Sequence, residues 1–112
     1  MAVIGINNGD DFKIILKIKG KDGVVIPYNE IYWVAHYYTT EKKILRVSGM
    51  NGVLSDNCEI IGEEVHVYVD GFDWEFKGRI YRRVYVSFEE EKFKDGVASF
   101  STAPVAINYK II

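Results

Sequence analysis

Apolar and polar residues alternate in a short segment near the start of the chain. In residues 12–19 (FKIILKIK) every second position from Phe12 to Ile18 is apolar, and three of the four other positions are lysine. This period of two predicts a strand with one face in a protein core. A glycine-bounded turn at 20–23 and an apolar segment at 24–26 follow, a pattern typical of two strands joined by a turn.

The same pattern continues to the last residue, and no segment has a convincing helical period. Residues 31–38 (IYWVAHYY) are apolar on both faces, which predicts a central strand covered from both sides. Turn signals recur about every 8–12 residues, as in a sandwich or barrel. The sequence therefore predicts an all-β fold of about seven to nine short strands. The other predicted strands are 3–6, 44–47, 79–88, 97–102 and 105–111. Residues 58–61 and 65–69 are two short strands or one strand interrupted at Gly62, and 72–76 is either a strand or an irregular connection.

Composition sets the size and class of the molecule. A chain of 112 residues predicts a single domain over 1–112. The residues are 48% hydrophobic and 14% aromatic, which favours strands around a substantial core. A net charge of −2 argues against binding to nucleic acid or to an anionic membrane. Residues 1–6 lack the features of a signal peptide, and Cys58 is the only cysteine, so we expect synthesis and folding in the reducing cytoplasm.

Candidate catalytic and metal-binding residues are scattered along the chain. His36, His66 and Cys58 lack the paired spacing of zinc ligands. The acidic residues around Asp70 do not match a complete calcium loop. No nucleophile and base are marked by a motif. We therefore predict no catalytic residues, no metal and no cofactor, and expect that the protein is not an enzyme.

Aromatic residues exceed what one small core needs. Tyrosine and tryptophan are enriched at protein interfaces, and their rings also serve as stacking platforms for sugars. The alternative is that the rings are buried at the ends of a sandwich with their hydroxyl groups in water. The candidate interface or sugar-stacking residues are Tyr28, Trp33, Tyr37, Trp74, Tyr81 and Tyr85.

The order of these signals resembles the immunoglobulin-like domain at the N-terminus of baseplate and fibre-associated proteins of tailed bacteriophages and prophages. The resemblance covers residues 10–112 and rests on three segments. An alternating strand leads through a Lys-Asp-Gly turn at 12–26, and the hydrophobic strand 31–38 follows. A glycine-led strand from Gly78 then runs through an acidic loop and Phe93-Lys94-Asp95-Gly96 into the last strands. These are turn and strand signals that any immunoglobulin-like sandwich shares in part.

This resemblance implies a fold and a role. The implied fold is an immunoglobulin-like antiparallel β-sandwich. The implied role is a non-enzymatic structural or assembly module of a phage or prophage tail or baseplate. Its expected partners are other phage structural proteins, with a homo-oligomer as a further expectation, and its expected location is the virion. The alternative is a carbohydrate-binding or adhesion module that uses exposed aromatic residues to hold a glycan.

Overall fold

The computed structural model describes residues 2–7, 9–20, 23–39, 43–55, 57–70 and 77–112. These residues form ten β-strands and a single turn of 3-10 helix at Tyr28–Glu30. The strands are β1 (Ile4–Ile6), β2 (Phe12–Leu16), β3 (Tyr32–Tyr38), β4 (Lys43–Met50), β5 (Val53–Leu54), β6 (Cys58–Ile61), β7 (Glu64–Val69), β8 (Gly78–Glu89), β9 (Val97–Ser101) and β10 (Val105–Ile111).

The strands form two sheets. The larger sheet has the order β1-β10-β8-β3-β4-β5, and β9 also pairs with β8. The smaller sheet has the order β2-β7-β6. The twelve-residue strand β8 pairs with β3 along one side, and along the other with β10 and then with β9. All pairs are antiparallel except β1 with β10, which is parallel.

This arrangement is an immunoglobulin-like β-sandwich, as predicted. The smaller sheet has the order of strands B, E and D of an immunoglobulin domain, and β10, β8, β3 and β4 correspond to G, F, C and C′. The described strands number ten rather than seven to nine. The additional strands arise because β5 is a separate two-residue strand and because Gly62, with a φ of 61°, separates β6 from β7.

Three strand predictions need correction. The strand predicted at 12–19 ends at Leu16. The segment 24–26 is not a strand, since it forms only a single bridge, between Val25 and Lys19. The segment 31–38 is central in its sheet, as predicted, but the smaller sheet covers only one of its faces. The region 72–76 lies outside the described residues.

The core lies between the two sheets. Its members come from alternate positions, so each strand buries one face. The indole of Trp33 on β3 is completely buried at the centre of this core. The larger sheet contributes Trp33, Ala35, Tyr37, Val47, Ile80, Val84 and Val86, and the smaller sheet contributes Ile14, Leu16, Val65, Val67 and Val69.

A glycine on β4 makes room for this indole. Gly49 is the register partner of Trp33. A Cβ atom added at Gly49 would lie 2.8 Å from Trp33 Cε2 and 2.8 Å from Leu54 Cδ2, and closer still to Trp33 Nε1. Real Cβ atoms do not approach other heavy atoms so closely. The sheet therefore accommodates Trp33 only because the residue opposite it has no side chain.

We expect Gly49→Ala to lower the free energy of unfolding by about 1–3 kcal/mol, because the added methyl group overpacks the core. Chemical denaturation followed by fluorescence measures this change. Met50→Ala is the matched control, since Met50 is the next residue on β4 and is exposed; it should change stability by about 0.5 kcal/mol or less.

A double-mutant cycle locates the cause of the loss. Trp33→Phe removes the part of the ring that the new Cβ meets, so Gly49→Ala should cost less in the Trp33→Phe background than in the wild type. Equal costs in both backgrounds would contradict the steric explanation.

Candidate binding surface on the larger sheet

The larger sheet presents one face to the core and the opposite face to solvent. We call the second one the outer face and define it on the adjacent strands β4, β3, β8 and β9. Its residues alternate with the core residues, so they point away from the smaller sheet. The outer face consists of Tyr32, Val34, His36, Tyr38, Arg46, Ser48, Met50, Tyr81, Arg83, Tyr85, Ser87, Ser99 and Ser101.

Strand register arranges the outer face in four rows. The first two rows carry aromatic, aliphatic and hydroxyl side chains, the third carries the positive charge, and the fourth is a pair of tyrosines. Each row runs across the strands. From the start of β3 to its end, the rows are Met50–Tyr32–Ser87–Ser99, then Ser48–Val34–Tyr85–Ser101, then Arg46–His36–Arg83, and last Tyr38–Tyr81.

The rings of the outer face contact one another. Tyr38 and Tyr81 stack with their centroids 6.0 Å apart and their planes at 24°. His36 and Tyr85 meet at 5.4 Å and 58°. Cross-strand aromatic pairs of this kind stabilise a sheet and restrict its side chains. The outer face is therefore an ordered surface rather than a set of independent side chains.

Positive charge lies in the middle of this surface. The Arg83 guanidinium carbon sits 5.1 Å from the centroid of the Tyr85 ring, and Nη2 of Arg83 donates to Oγ of Ser101 at 3.4 Å. Glu89 leaves the same face beyond the first row, so the four rows themselves carry no carboxylate, and neither Arg46 nor Arg83 forms an ion pair with another described residue. The buried Nε of Arg83 also has no hydrogen-bond partner among the described residues. No carboxylate of the described residues therefore neutralises either arginine.

Two clefts border the first rows of the outer face. A shallow cleft of about 340 Å³ is lined by Tyr32 and Tyr85 and by three serines, together with Val86 and Phe100, which are register partners and belong to the opposite face. A larger groove of about 1170 Å³ continues from it around the end of the sheet. Its apolar wall includes Met50 and Val97, and Glu30 and Glu89 also line it. The surface is therefore positive in its middle and acidic at one end.

Two of the predicted aromatic residues lie on this surface. Tyr81 is half-buried, and Tyr85 is 39% exposed, so both are accessible to a partner. Trp74 lies outside the described residues.

Three other predicted residues are core residues instead. Trp33 and Tyr37 are completely buried and Tyr28 is 6% exposed, so their rings are not available to a sugar or a protein. The alternation within β3 explains the correction, because Trp33 and Tyr37 are in phase with Ala35 and face the smaller sheet. The hydroxyl of Tyr28 donates to the carbonyl of Glu63 at 2.6 Å and accepts from the amide of Ile18 at 3.4 Å. Tyr28 thus tethers the end of β2 to the β6–β7 turn.

The surface has other members that the predicted site does not include. Tyr32 and Tyr38 belong to the surplus of aromatic residues in the sequence but not to the predicted site, and nothing in the sequence connects the arginines of the third row with them. Alternation from the buried Trp33 assigns Tyr32, His36 and Tyr38 to one face. The pairing of β3 with both β4 and β8, which adds Arg46 and Arg83, appears only in the folded structure.

The histidines and the cysteine occupy separate places. His36 is on the outer face, whereas His66 is on the smaller sheet with Nε2 3.1 Å from Oε1 of Glu64. Burial raises the pKa of the Cys58 thiol, which favours the thiol over the nucleophilic thiolate. No group of three or more His, Cys, Asp or Glu residues within the described ranges could hold a metal ion.

Comparison with known proteins returned no matching family model, no similar curated protein and no similar solved structure. The resemblance to the phage domain therefore remains a prediction from the sequence. In the part of the chain that the structure describes, no helix is long and apolar enough to span a membrane.

Burial of Tyr37 predicts a particular pH dependence. Burial raises the pKa of its hydroxyl above the usual value, and the nearby Arg82 guanidinium partly opposes this shift. A group whose pKa is higher in the folded state contributes stability that is complete below the unfolded pKa of about 10 and is lost as pH rises through the folded pKa. We therefore expect the free energy of unfolding to fall above about pH 10.

Tyr37→Phe tests this expectation. The variant lacks the ionisable group, so its stability should fall less steeply than that of the wild type above about pH 10, while the two slopes agree at lower pH. Denaturant unfolding across this alkaline range measures both slopes. The same alkaline slope in both proteins would show that Tyr37 is not buried as described.

Proposed function

We propose that this protein is a non-enzymatic structural module that docks to other proteins through the outer face, as a component of a phage or prophage tail or baseplate. The observation that carries the docking role is the outer face itself. It combines aligned tyrosines with two arginines that have no acidic partner among the described residues. Tyrosine and arginine are enriched at protein interfaces and among the residues that dominate binding energy. The phage context comes from the resemblance of residues 10–112 to baseplate and fibre-associated domains.

A protein partner suits the shape of this surface. The outer face lies on four adjacent hydrogen-bonded strands, so it offers a broad area rather than a deep pocket. Tyr38 and Tyr81 cover part of each other's ring faces, which leaves ring edges and hydroxyl groups for contact. The arginine charges select an acidic patch on the partner and favour its correct orientation.

Affinity capture tests the proposal. Tagged protein is mixed with a lysate of its source cells after DNA damage, and the retained proteins are identified by mass spectrometry. We expect tail, baseplate or fibre proteins, and we expect Arg83→Glu or Tyr85→Ala to reduce their recovery about tenfold or more, because both substitutions remove central contacts.

Matched substitutions on the smaller sheet serve as controls. Lys13→Glu reverses an exposed charge and Tyr68→Ala removes a tyrosine that is 43% exposed, and both should retain the partner. Failure to recover any virion protein would contradict the phage role. Equal losses in the outer-face and control variants would contradict docking through the outer face.

The shallow cleft supports a second candidate function, glycan binding. Two tyrosines and three serines of the outer face line it, namely Tyr32, Tyr85, Ser87, Ser99 and Ser101. Aromatic rings stack on the apolar faces of sugars, and hydroxyl groups bond to sugar hydroxyls. This site differs from the predicted platform of Trp33 and Trp74, since Trp33 is buried.

An NMR titration with oligosaccharides from bacterial surfaces examines this candidate. Binding would have a free energy of about −4 to −8 kcal/mol, would shift the amide signals of β8 and β9, and would be lost in Tyr85→Ala but kept in Tyr68→Ala. Signals that do not move at high sugar concentration would exclude a site for the sugars tested.

A further inference from the structure

We infer that the outer face binds a second copy of this chain, giving a two-fold symmetric dimer in which the two larger sheets meet face to face. This inference rests on the proposed function, because both assign protein docking to the outer face. The charge pattern of the surface carries it: the outer face is positive in its third row and ends, beyond its first row, in an acidic groove. Such a surface is complementary to a second copy that is rotated by 180°, because the positive part of each copy then faces the acidic part of the other.

The strand register fixes where the symmetry axis must lie. Trp33 and Val86 are register partners, so they mark one level across β3 and β8. On β8, Arg83 and Glu89 lie three residues to either side of Val86, a distance of about 10 Å each way. A two-fold axis that is parallel to the sheet and perpendicular to its strands, at the level of Val86, places Arg83 opposite Glu89 of the partner subunit. Symmetry then forms the same pair a second time.

A second pair of groups is compatible with the same axis. His36 lies three residues beyond Trp33, and Glu30 lies three residues before it, in the turn that leads into β3. The same rotation therefore brings His36 towards Glu30 of the partner subunit. Because Glu30 lies in the 3-10 turn and His36 is the register partner of Arg83, this approach accompanies the Arg83–Glu89 pair, which defines the axis.

Both members of the Arg83–Glu89 pair are placed for such a contact. Their positions differ by an even number of residues on one strand, so their side chains leave the same face of the sheet. Glu89 is exposed, and neither residue forms an ion pair with another described residue. The pair would therefore form without breaking an existing salt bridge among these residues.

The acidic groove has the dimensions and chemistry to receive an arginine. Its volume is about 1170 Å³, and Glu30 and Glu89 line it beside Tyr32, Met50 and Val97. The aliphatic part of an arginine side chain packs on apolar surface while the guanidinium pairs with a carboxylate. Met50 and Val97 are both exposed in the single chain, and the partner subunit would cover them.

The centre of the proposed interface is the least charged part of the outer face. Tyr32, Val34 and Tyr85 lie close to the axis, with serines beside them. Protein interfaces commonly have such a centre and a polar rim. Four strands and nine residues of β8 span roughly 20 by 30 Å. This area is smaller than the ~800 Å² that each partner buries in a standard interface. We therefore expect a dimer with a micromolar dissociation constant.

A charge-reversal exchange tests the pairing directly. Sedimentation equilibrium and native mass spectrometry measure the dimer of the purified full chain at low ionic strength. Arg83→Glu and Glu89→Lys should each reduce the association constant about tenfold or more, since each homodimer would oppose like charges twice. An equal mixture of the two variants should recover the dimer as a heterodimer, because both pairs are then complementary. Lys13→Glu is the control and should dimerise like the wild type.

Each outcome either supports or overturns the proposed dimer. Recovery in the mixture supports the proposed axis, and it also shows that both variants are folded. A wild-type protein that stays monomeric at high concentration, a dimer that tolerates both reversals, or a mixture that stays monomeric would overturn the inference. High salt should weaken the wild-type dimer, since the rim pairs are screened.

The result is separable from the proposed function. Capture from the lysate is repeated with each variant alone and with the mixture. A wild-type chain that stays monomeric and still recovers virion proteins would refute the dimer and leave the assembly role intact. A dimer that recovers no virion protein would support the dimer and refute the assembly role.

Discussion

The contact between the Trp33 indole and the backbone of Gly49 is the constraint on which the arrangement of the larger sheet depends. Trp33 is the largest completely buried side chain and lies on the central strand β3. The indole occupies the space that a side chain at position 49 would need. Once this ring points inward, the period of two sends Tyr32, Val34 and His36 outward. The orientation of one tryptophan therefore sets the composition of both faces of the strand.

The consequence is a sandwich with two different surfaces on its larger sheet. Aliphatic residues of the smaller sheet cover the inner face and fill the interior around Trp33. No disulfide bond contributes, because Cys58 is the only cysteine. The outer face receives aromatic and cationic residues in register, and its rings order one another through cross-strand contacts. An ordered surface loses less conformational entropy on binding than a flexible one. This favours a docking role over a purely structural explanation of the tyrosines.

The candidate site was only partly predictable. Tyr81 and Tyr85 were selected for their residue type, and they do lie on the outer face. Trp33 and Tyr37 were selected for the same reason and are buried. Residue type could not separate these two pairs, because tyrosine and tryptophan serve equally well in a core and at an interface. The arginines of the third row were missed because Arg46 and Arg83 are 37 positions apart in the sequence and become neighbours of His36 only through strand pairing.

Alternation and turn residues in the sequence determined that the protein is all-β and where most of its strands lie. This local information suffices because the period of two and the glycine turns act over a few residues. Only the tertiary structure decided which face of β3 is buried, since the pattern of this strand is apolar on both sides and fits either orientation. It also decided which charges meet, because the strand register that joins β4, β3 and β8 depends on contacts between distant segments.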